Sequence, residues 1–122
     1  GKAERAASYG RRFIGEAAER ATEDVGKPVY LGEYGWRVNL QAGDVASQLQ
    51  RRAELFEEWH SAALDAGIGG AVAWELLSDS RLQYHREEPG EGETVGFAYP
   101  EHDDTCAELR RFAEHIDEQS AA

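Results

Sequence analysis

Two residues combine a chemically useful side chain with a position at the end of a short apolar run. Glu33 closes the run that begins at Pro28, and Trp74 lies near the end of the run that begins at Ile68. A buried strand has no structural need for a charged tip, because burying an unpaired carboxylate is costly. The carboxyl ends of parallel strands are also where α/β proteins place active-site groups. Glu33 is therefore a candidate catalytic residue, with a structural carboxylate at a strand end as the alternative.

The elements that would position these side chains alternate along the chain. Hydrophobic periodicity and turn residues predict the order helix, strand, helix, strand, helix over residues 3–23, 28–33, 45–66, 68–76 and 103–118. Alternation places Val29, Leu31 and Glu33 on one side of the first strand. Tyr30 and Gly32 take the other side. If the strand belongs to a barrel, the first set faces the interior and the second faces the helices.

Each predicted helix has boundary signals and an apolar stripe. Gly26 ends the first helix, Asp44 is the predicted N-cap of the second and Gly67 its C′ residue. Thr105 and Glu108 fit a capping box in the third. The predicted stripes are Ala6, Gly10, Phe13, Ile14, Ala17 and Ala21 in the first helix, Val45, Leu49, Ala53, Phe56, Trp59 and Ala63 in the second, and Cys106, Leu109, Ala113 and Ile116 in the third.

Two loops complete the chain. Residues 36–43 form the shorter one, and residues 77–102 form a long polar loop whose end at 95–100 is apolar enough to pack as an extended segment. A loop of that length is usually functional or disordered. Its carboxylates are better explained by solvation than by cation binding; they include Glu87, Glu88, Glu91 and Glu93.

Composition narrows the function classes. The 122 residues predict one domain, 1–122, and the formal net charge of −11 argues against nucleic-acid binding, because phosphates would be repelled. So acidic a chain with few lysines favours a protein kept soluble by charge in high salt, with an ordinary acidic domain as the alternative. No apolar run approaches the roughly 20 residues of a membrane span. The histidines and the single Cys106 lack metal-ligand spacing and no cofactor motif is present, so neither metal nor cofactor is expected.

The two predicted strands are too few to form a closed sheet, and one side of them has no predicted cover. Two strands cannot close a barrel, and the helices would cover one side of them only. The other side, with Val29, Leu31, Val72 and Trp74, would stay open, and an exposed apolar face predicts a homo-oligomer or a missing remainder. The chain also lacks methionine and opens with Gly1, which predicts a piece of a longer protein.

The two runs resemble a known pair of strands. "KPVYLGEYG" at 27–35, followed by "GIGGAVAWEL" at 67–76, is similar to the seventh and eighth strands of clan A glycoside hydrolases, most of all the family-5 endo-β-1,4-mannanases. The tail "GFAYPEHDDTCAELRRFAEHI" at 96–116 resembles the closing loop and last helix of these enzymes. The resemblance implies an α/β fold that is the C-terminal part of a (β/α)8 TIM barrel.

The resemblance also implies roles for three residues. Glu33 matches the catalytic nucleophile and Trp74 the aromatic that floors the sugar subsite, with a core tryptophan as the alternative for Trp74. For Trp36, substrate binding and loop packing are both open. The family's acid/base glutamate would lie upstream of this chain. The expected function is a fragment of a retaining β-mannanase-like hydrolase acting on mannan or glucan and inactive alone. A non-catalytic interaction or sugar-binding domain is the alternative.

Overall fold

The protein is an α/β structure with three long helices and short strands. The computed structural model describes residues 1–77 and 93–121, and the elements in this part are α1 Lys2–Arg20, β1 Leu31–Tyr34, β2 Val38–Asn39, α2 Val45–Asp65, β3 Ala71–Ala73, β4 Leu76–Leu77, β5 Glu93–Thr94, β6 Phe97–Ala98 and α3 Asp103–Ala121. The α/β class expected from the sequence is therefore confirmed.

The helix ends largely follow the predicted signals. A π-helical turn, Ala21–Val25, continues α1 until Gly26, whose φ of +66° ends it. Asp44 is the N-cap of α2, but its carboxylate accepts a hydrogen bond from the Gln48 side chain instead of capping a backbone N–H. Gly67, with φ of +71°, ends α2 as predicted. The N–H of Gly67 donates to the Leu64 carbonyl and that of Ile68 to the Ala63 carbonyl, so two of the C-terminal carbonyls of the helix are satisfied.

The strands are shorter and more numerous than predicted. The expected strand 68–76 is interrupted at Trp74 and Glu75, which a cis peptide bond joins, and so forms β3 and β4. The expected loop at 36–43 contains β2, and the extended segment predicted at 95–100 contains β6. Pairing is parallel for β1 with β3 and for β4 with β6, and antiparallel for β2 with β5. Residues 78–92 of the predicted long loop lie outside the described residues.

The core lies between the helices and one side of the β1–β3 pair. Its buried members come from all three helices and the turn after α2: Ile14, Ala18, Ala63, Ile68 and Phe112. Val29, Leu31 and Ala71 pack against this cluster. The expectation that Val29 and Leu31 face a barrel interior, or an open side, is therefore wrong. The helices are the apolar surface available to this strand, and its aliphatic side chains pack on them.

The predicted helix stripes match the observed buried faces only in part. In α1, Ile14 is buried as predicted, but Ala7 and Ala18 are buried beside it, and Phe13 is 53% exposed and stacks on Tyr9. In α3 the buried residues are Thr105, Glu108 and Phe112, with Ile116 at the core margin. In α2, Phe56 and Ala63 are buried as predicted, and they are joined by three residues that the pattern missed: Arg52, Leu55 and His60.

The capping box is also wrong. The helix begins at Asp103, so Thr105 and Glu108 both lie within it. The Thr105 hydroxyl accepts a hydrogen bond from Arg52, and Glu108 binds His60 and Arg111. Long-range polar partners have replaced the local ones that the sequence pattern implied.

Candidate functional site

A β-bulge sets the position of Glu33. Leu31 lies opposite Ala71 and Tyr34 opposite Ala73, so three steps along β1 match two steps along β3. Leu31 packs on the helix core and Tyr34 hydrogen-bonds to α2, so both face the helices. Strict alternation, which grouped Glu33 with Val29 and Leu31, is therefore wrong. Glu33 is exposed at the carboxyl end of β1.

Trp74 lies beside that strand end. Its backbone N–H donates to the Tyr34 carbonyl at 2.8 Å, which ties the end of β1 to the chain after β3. Trp74 is 37% exposed, so its indole is accessible to solvent. An accessible carboxylate and an accessible indole thus stand at the same end of a parallel strand pair. A carboxylate can act as a nucleophile or a proton donor, and an indole plane suits the apolar face of a sugar ring.

Gly35 permits this close approach. A Cβ at position 35 would lie 2.9 Å from the Trp74 carbonyl oxygen and 3.6 Å from Cβ of Val95. The first distance is too short for a side chain, and the obstacle is backbone. The glycine after Tyr34 is therefore required for the contact between β1 and the segment at Trp74.

Trp36 is placed close to the start of α1. It is half-buried, and the Lys2 Nζ lies 5.8 Å from the centroid of its ring, within the range of a cation–π interaction. This contact packs the loop after β1 against the N-terminal end of α1. Packing and substrate binding both remain compatible with this position.

A chain of polar groups, with His60 and Glu108 buried at its centre, joins three elements. The Tyr34 hydroxyl lies 2.6 Å from Nε2 of His60, and Nδ1 of His60 lies 2.6 Å from Oε1 of Glu108. Arg111 donates two hydrogen bonds to Glu108, each of 2.7 Å. We call these four residues the tyrosine network. It connects β1 to α2 and α3.

The protonation states of the tyrosine network determine which group donates each hydrogen bond. Burial, reinforced by the Glu108 charge, raises the pKa of Tyr34, and burial lowers the pKa of His60 despite its bond to Glu108. Burial alone would raise the pKa of Glu108, but hydrogen bonds from Arg111 and His60 lower it overall. Tyr34 is therefore protonated, His60 neutral and Glu108 ionised. The tyrosine O–H donates to Nε2, and Nδ1–H donates to the carboxylate.

Sequence reasoning missed this network. The sequence pattern placed Glu108 in a capping box and showed no metal-ligand spacing for His60, so neither residue was linked to Tyr34. The one local signal was the spacing of Glu108 and Arg111, three residues apart on a helix, which is suited to an ion pair. The contacts among Tyr34, His60 and Glu108 join residues far apart in the chain.

Arg52 forms a second buried polar centre. It is fully buried, and its guanidinium donates to the Thr105 hydroxyl at 3.1 Å and to the Gly96 carbonyl at 2.9 Å. Its Nη2 has no hydrogen-bond partner among residues 1–77 and 93–121. Burial lowers the pKa of Arg52 to about 10. These bonds join α2 and α3 to the chain just before β6.

An apolar groove runs between β3 and α3. Its volume is about 520 Å³, and its lining includes Tyr34, Ala71, Phe97, Leu109, Phe112 and Ile116. In the described part of the chain, no three His, Cys, Asp or Glu side chains are grouped so as to hold a metal ion. The carboxylates of Glu87, Glu88 and Glu91 lie outside the described residues. The Cys106 thiol is half-buried, and burial, with the Asp103 charge, raises its pKa.

Comparison with protein-family models and with curated proteins gave no match to the chain. None of the helices in the described ranges is both long enough and apolar enough to cross a membrane.

Proposed function

We propose that the chain is the nucleophile-bearing part of a retaining glycoside hydrolase that cleaves a β-1,4-linked polysaccharide such as mannan. The observation that supports this best is the placement of Glu33 and Trp74 at the carboxyl ends of two parallel strands, with both residues exposed. In this proposal β1 and β3 are adjacent strands of a (β/α)8 barrel. The carboxyl ends of such strands form the active-site face.

The proposed mechanism assigns Glu33 the covalent step. Its carboxylate attacks the anomeric carbon while the leaving oxygen takes a proton from a second carboxylic acid, and water then hydrolyses the glycosyl ester. The two carboxyl groups of a retaining enzyme stand roughly 5 Å apart. The acid/base residue would be supplied from outside these 122 residues. Trp74 would stack on the sugar ring at the cleavage point.

The test uses the longer protein that would contain this chain and an aryl β-mannoside. Glu33→Ala should lower kcat roughly a thousandfold or more, because the covalent step loses its nucleophile. Azide should restore turnover and yield the α-mannosyl azide, since a small anion can attack from the vacated side. The control is Glu101→Ala, which removes an exposed carboxylate two residues before α3. Full activity of Glu33→Ala, or rescue without the inverted azide product, would falsify the assignment.

The 122-residue chain offers a separate test of sugar contact. It should show no turnover, because one carboxylate cannot perform both steps. Manno-oligosaccharides should change its tryptophan fluorescence, and Trp74→Phe should remove most of that change. Trp59→Phe is the control, because Trp59 packs against the core. Turnover of mannan by this chain alone would contradict the proposal.

The exposed apolar side chains favour a second candidate, an interaction domain. Val72 is 48% exposed and Leu76 is 68% exposed, and both lie on strands next to the groove. Such a surface is typical of contact with another protein surface. A self-associating, non-catalytic chain would use this surface, and its mass in solution would then exceed that of one chain.

A further inference from the structure

We propose that Tyr34 is a positioning residue for Glu33 and Trp74, held in place by its hydrogen bond to buried His60. This inference rests on the proposed function, because it assigns Glu33 a reaction to be positioned for. It adds a residue that contacts no substrate and acts through its two neighbours at the strand end.

The bulge in β1 decides which of its residues faces the helices. Without it, Glu33 instead of Tyr34 would lie opposite Ala73, on the side where Leu31 packs against the helices. A carboxylate in that layer would be buried at considerable cost. The extra residue in β1 turns Tyr34 toward the helices and leaves Glu33 exposed. The side that Glu33 occupies therefore depends on where Tyr34 is held.

The Tyr34 side chain is anchored firmly on α2. The Tyr34 ring lies edge-on to Phe56, with 5.0 Å between centroids, and its hydroxyl lies 2.6 Å from Nε2 of His60. His60 is fully buried and stacks on Phe112 at 4.1 Å. Glu108 holds the other ring nitrogen. The phenol is thus fixed from both α2 and α3, which leaves it little freedom to shift.

Tyr34 connects this anchor to the candidate site through its backbone. Glu33 directly precedes Tyr34, and the Tyr34 carbonyl accepts the backbone N–H of Trp74 at 2.8 Å. One residue therefore sets both the carboxylate and the indole. Reacting groups misplaced by about 1 Å lose on the order of a hundredfold in rate, so a loosened anchor should reduce kcat.

The experiment compares Tyr34→Phe with Tyr30→Phe. Both remove one hydroxyl from the same segment, but Tyr30 is 69% exposed and lies outside the network. In the longer protein, Tyr34→Phe should lower kcat about tenfold with KM unchanged, because a precise position is lost while the sugar contacts remain. Tyr30→Phe should leave both constants unchanged.

A second readout uses the 122-residue chain and needs no activity. Hydrogen exchange of the Trp74 amide should be about fivefold faster in Tyr34→Phe, since a lost hydrogen bond is worth about 1 kcal/mol. Exchange in Tyr30→Phe should match the parent chain. An unchanged Trp74 exchange rate, or an unchanged kcat, in Tyr34→Phe would overturn the proposal.

A second variant covers the case in which Tyr34→Phe does not fold. If Tyr34→Phe does not fold, the double variant Tyr34→Phe/His60→Phe carries the same measurements, because removing both polar partners leaves no unsatisfied group between them. The azide experiment at Glu33 judges the proposed function separately. If azide rescue fails at Glu33 but the Trp74 amide exchanges faster in Tyr34→Phe, the proposed function is wrong and the anchoring role of Tyr34 stands. If azide rescue succeeds but the Trp74 exchange rate is unchanged in Tyr34→Phe, only the anchoring role is refuted.

Discussion

At the scale of single residues, a hydrogen bond of His102 predicts how the free energy of unfolding depends on pH. Its Nδ1 accepts the backbone N–H of Ala98 at 2.9 Å, so the ring must be neutral to keep this bond. Burial lowers the pKa of His102, the nearby Arg52 charge lowers it further, and Glu101 opposes them. Below about pH 6.5 the unfolded chain takes up a proton that the folded chain does not. The free energy of unfolding should therefore fall as the pH falls from 7 toward 5.

The variant His102→Asn tests this. The Asn Oδ1 can accept the Ala98 N–H in place of Nδ1 but does not titrate. Denaturant unfolding between pH 7 and 5 should show a shallower loss of stability, by up to about 1.4 kcal/mol per pH unit for one proton. Some pH dependence should remain, because burial lowers the pKa of His60 as well. The control is His115→Asn at an exposed position; an identical slope in both variants would rule His102 out.

The sequence could single out a candidate residue, but it could not predict which distant residues that residue's neighbours contact. Glu33 stood out because a charge at the tip of an apolar run has no packing role, and the structure leaves it exposed. Its side of the strand was predicted wrongly, because the bulge depends on Tyr34 and its partner on α2. The Tyr34–His60 and His60–Glu108 bonds span 26 and 48 residues of sequence. No local pattern encodes such pairs.

At the scale of elements, the contact between α1 and α2 depends on one glycine. A Cβ at Gly10 would lie 2.1 Å from Nε1 of Trp59, whose indole also donates to the Ala6 carbonyl. Gly10→Ala should lower the free energy of unfolding by about 1–3 kcal/mol, because the rigid indole must move out of a packed interface. Thermal or urea unfolding of the chain measures this change.

Gly15 provides the matched control on the same helix. Nothing lies within 4 Å of a Cβ at that position, and the residue is exposed. Gly15→Ala should stabilise the chain by about 0.5–1 kcal/mol, since alanine is the better helix former. Equal effects of the two substitutions would mean that propensity, and not the Trp59 contact, governs position 10.

Element boundaries were predictable where one residue fixes the backbone. Gly26 and Gly67 both adopt positive φ and end their helices as expected. The buried helix faces were less predictable, because small residues such as Ala6, Ala7, Ala17 and Ala18 fit several rotations of α1 equally well. In α3 the choice was decided by Phe112, and by Glu108 through its distant partner His60. Periodicity thus predicts that a helix is amphipathic more reliably than it predicts which residues are buried.

At the scale of the whole molecule, two surface properties act in opposite directions. Val72, Trp74 and Leu76 expose apolar surface around the strand ends, which favours association of chains. The net charge of −11 makes chains repel one another. The repulsion is screened within about 3 Å at 1 M salt but reaches about 30 Å at 0.01 M. Self-association should therefore be weak in low salt and strong in high salt.

Sedimentation equilibrium of the 122-residue chain across this salt range tests the balance. The apparent mass should rise with salt from that of one chain toward that of two or more, because the apolar contact survives when charge repulsion is screened. Val72→Ser should lower the association at every salt concentration. Val25→Ser is the matched control, since Val25 is equally an exposed valine, 63% accessible, but lies after α1 in the π-helical turn. A parent chain that stays monomeric in 1 M salt would exclude the self-associating interaction domain. Such a result would favour the glycosidase proposal, in which this strand surface contacts the rest of a barrel.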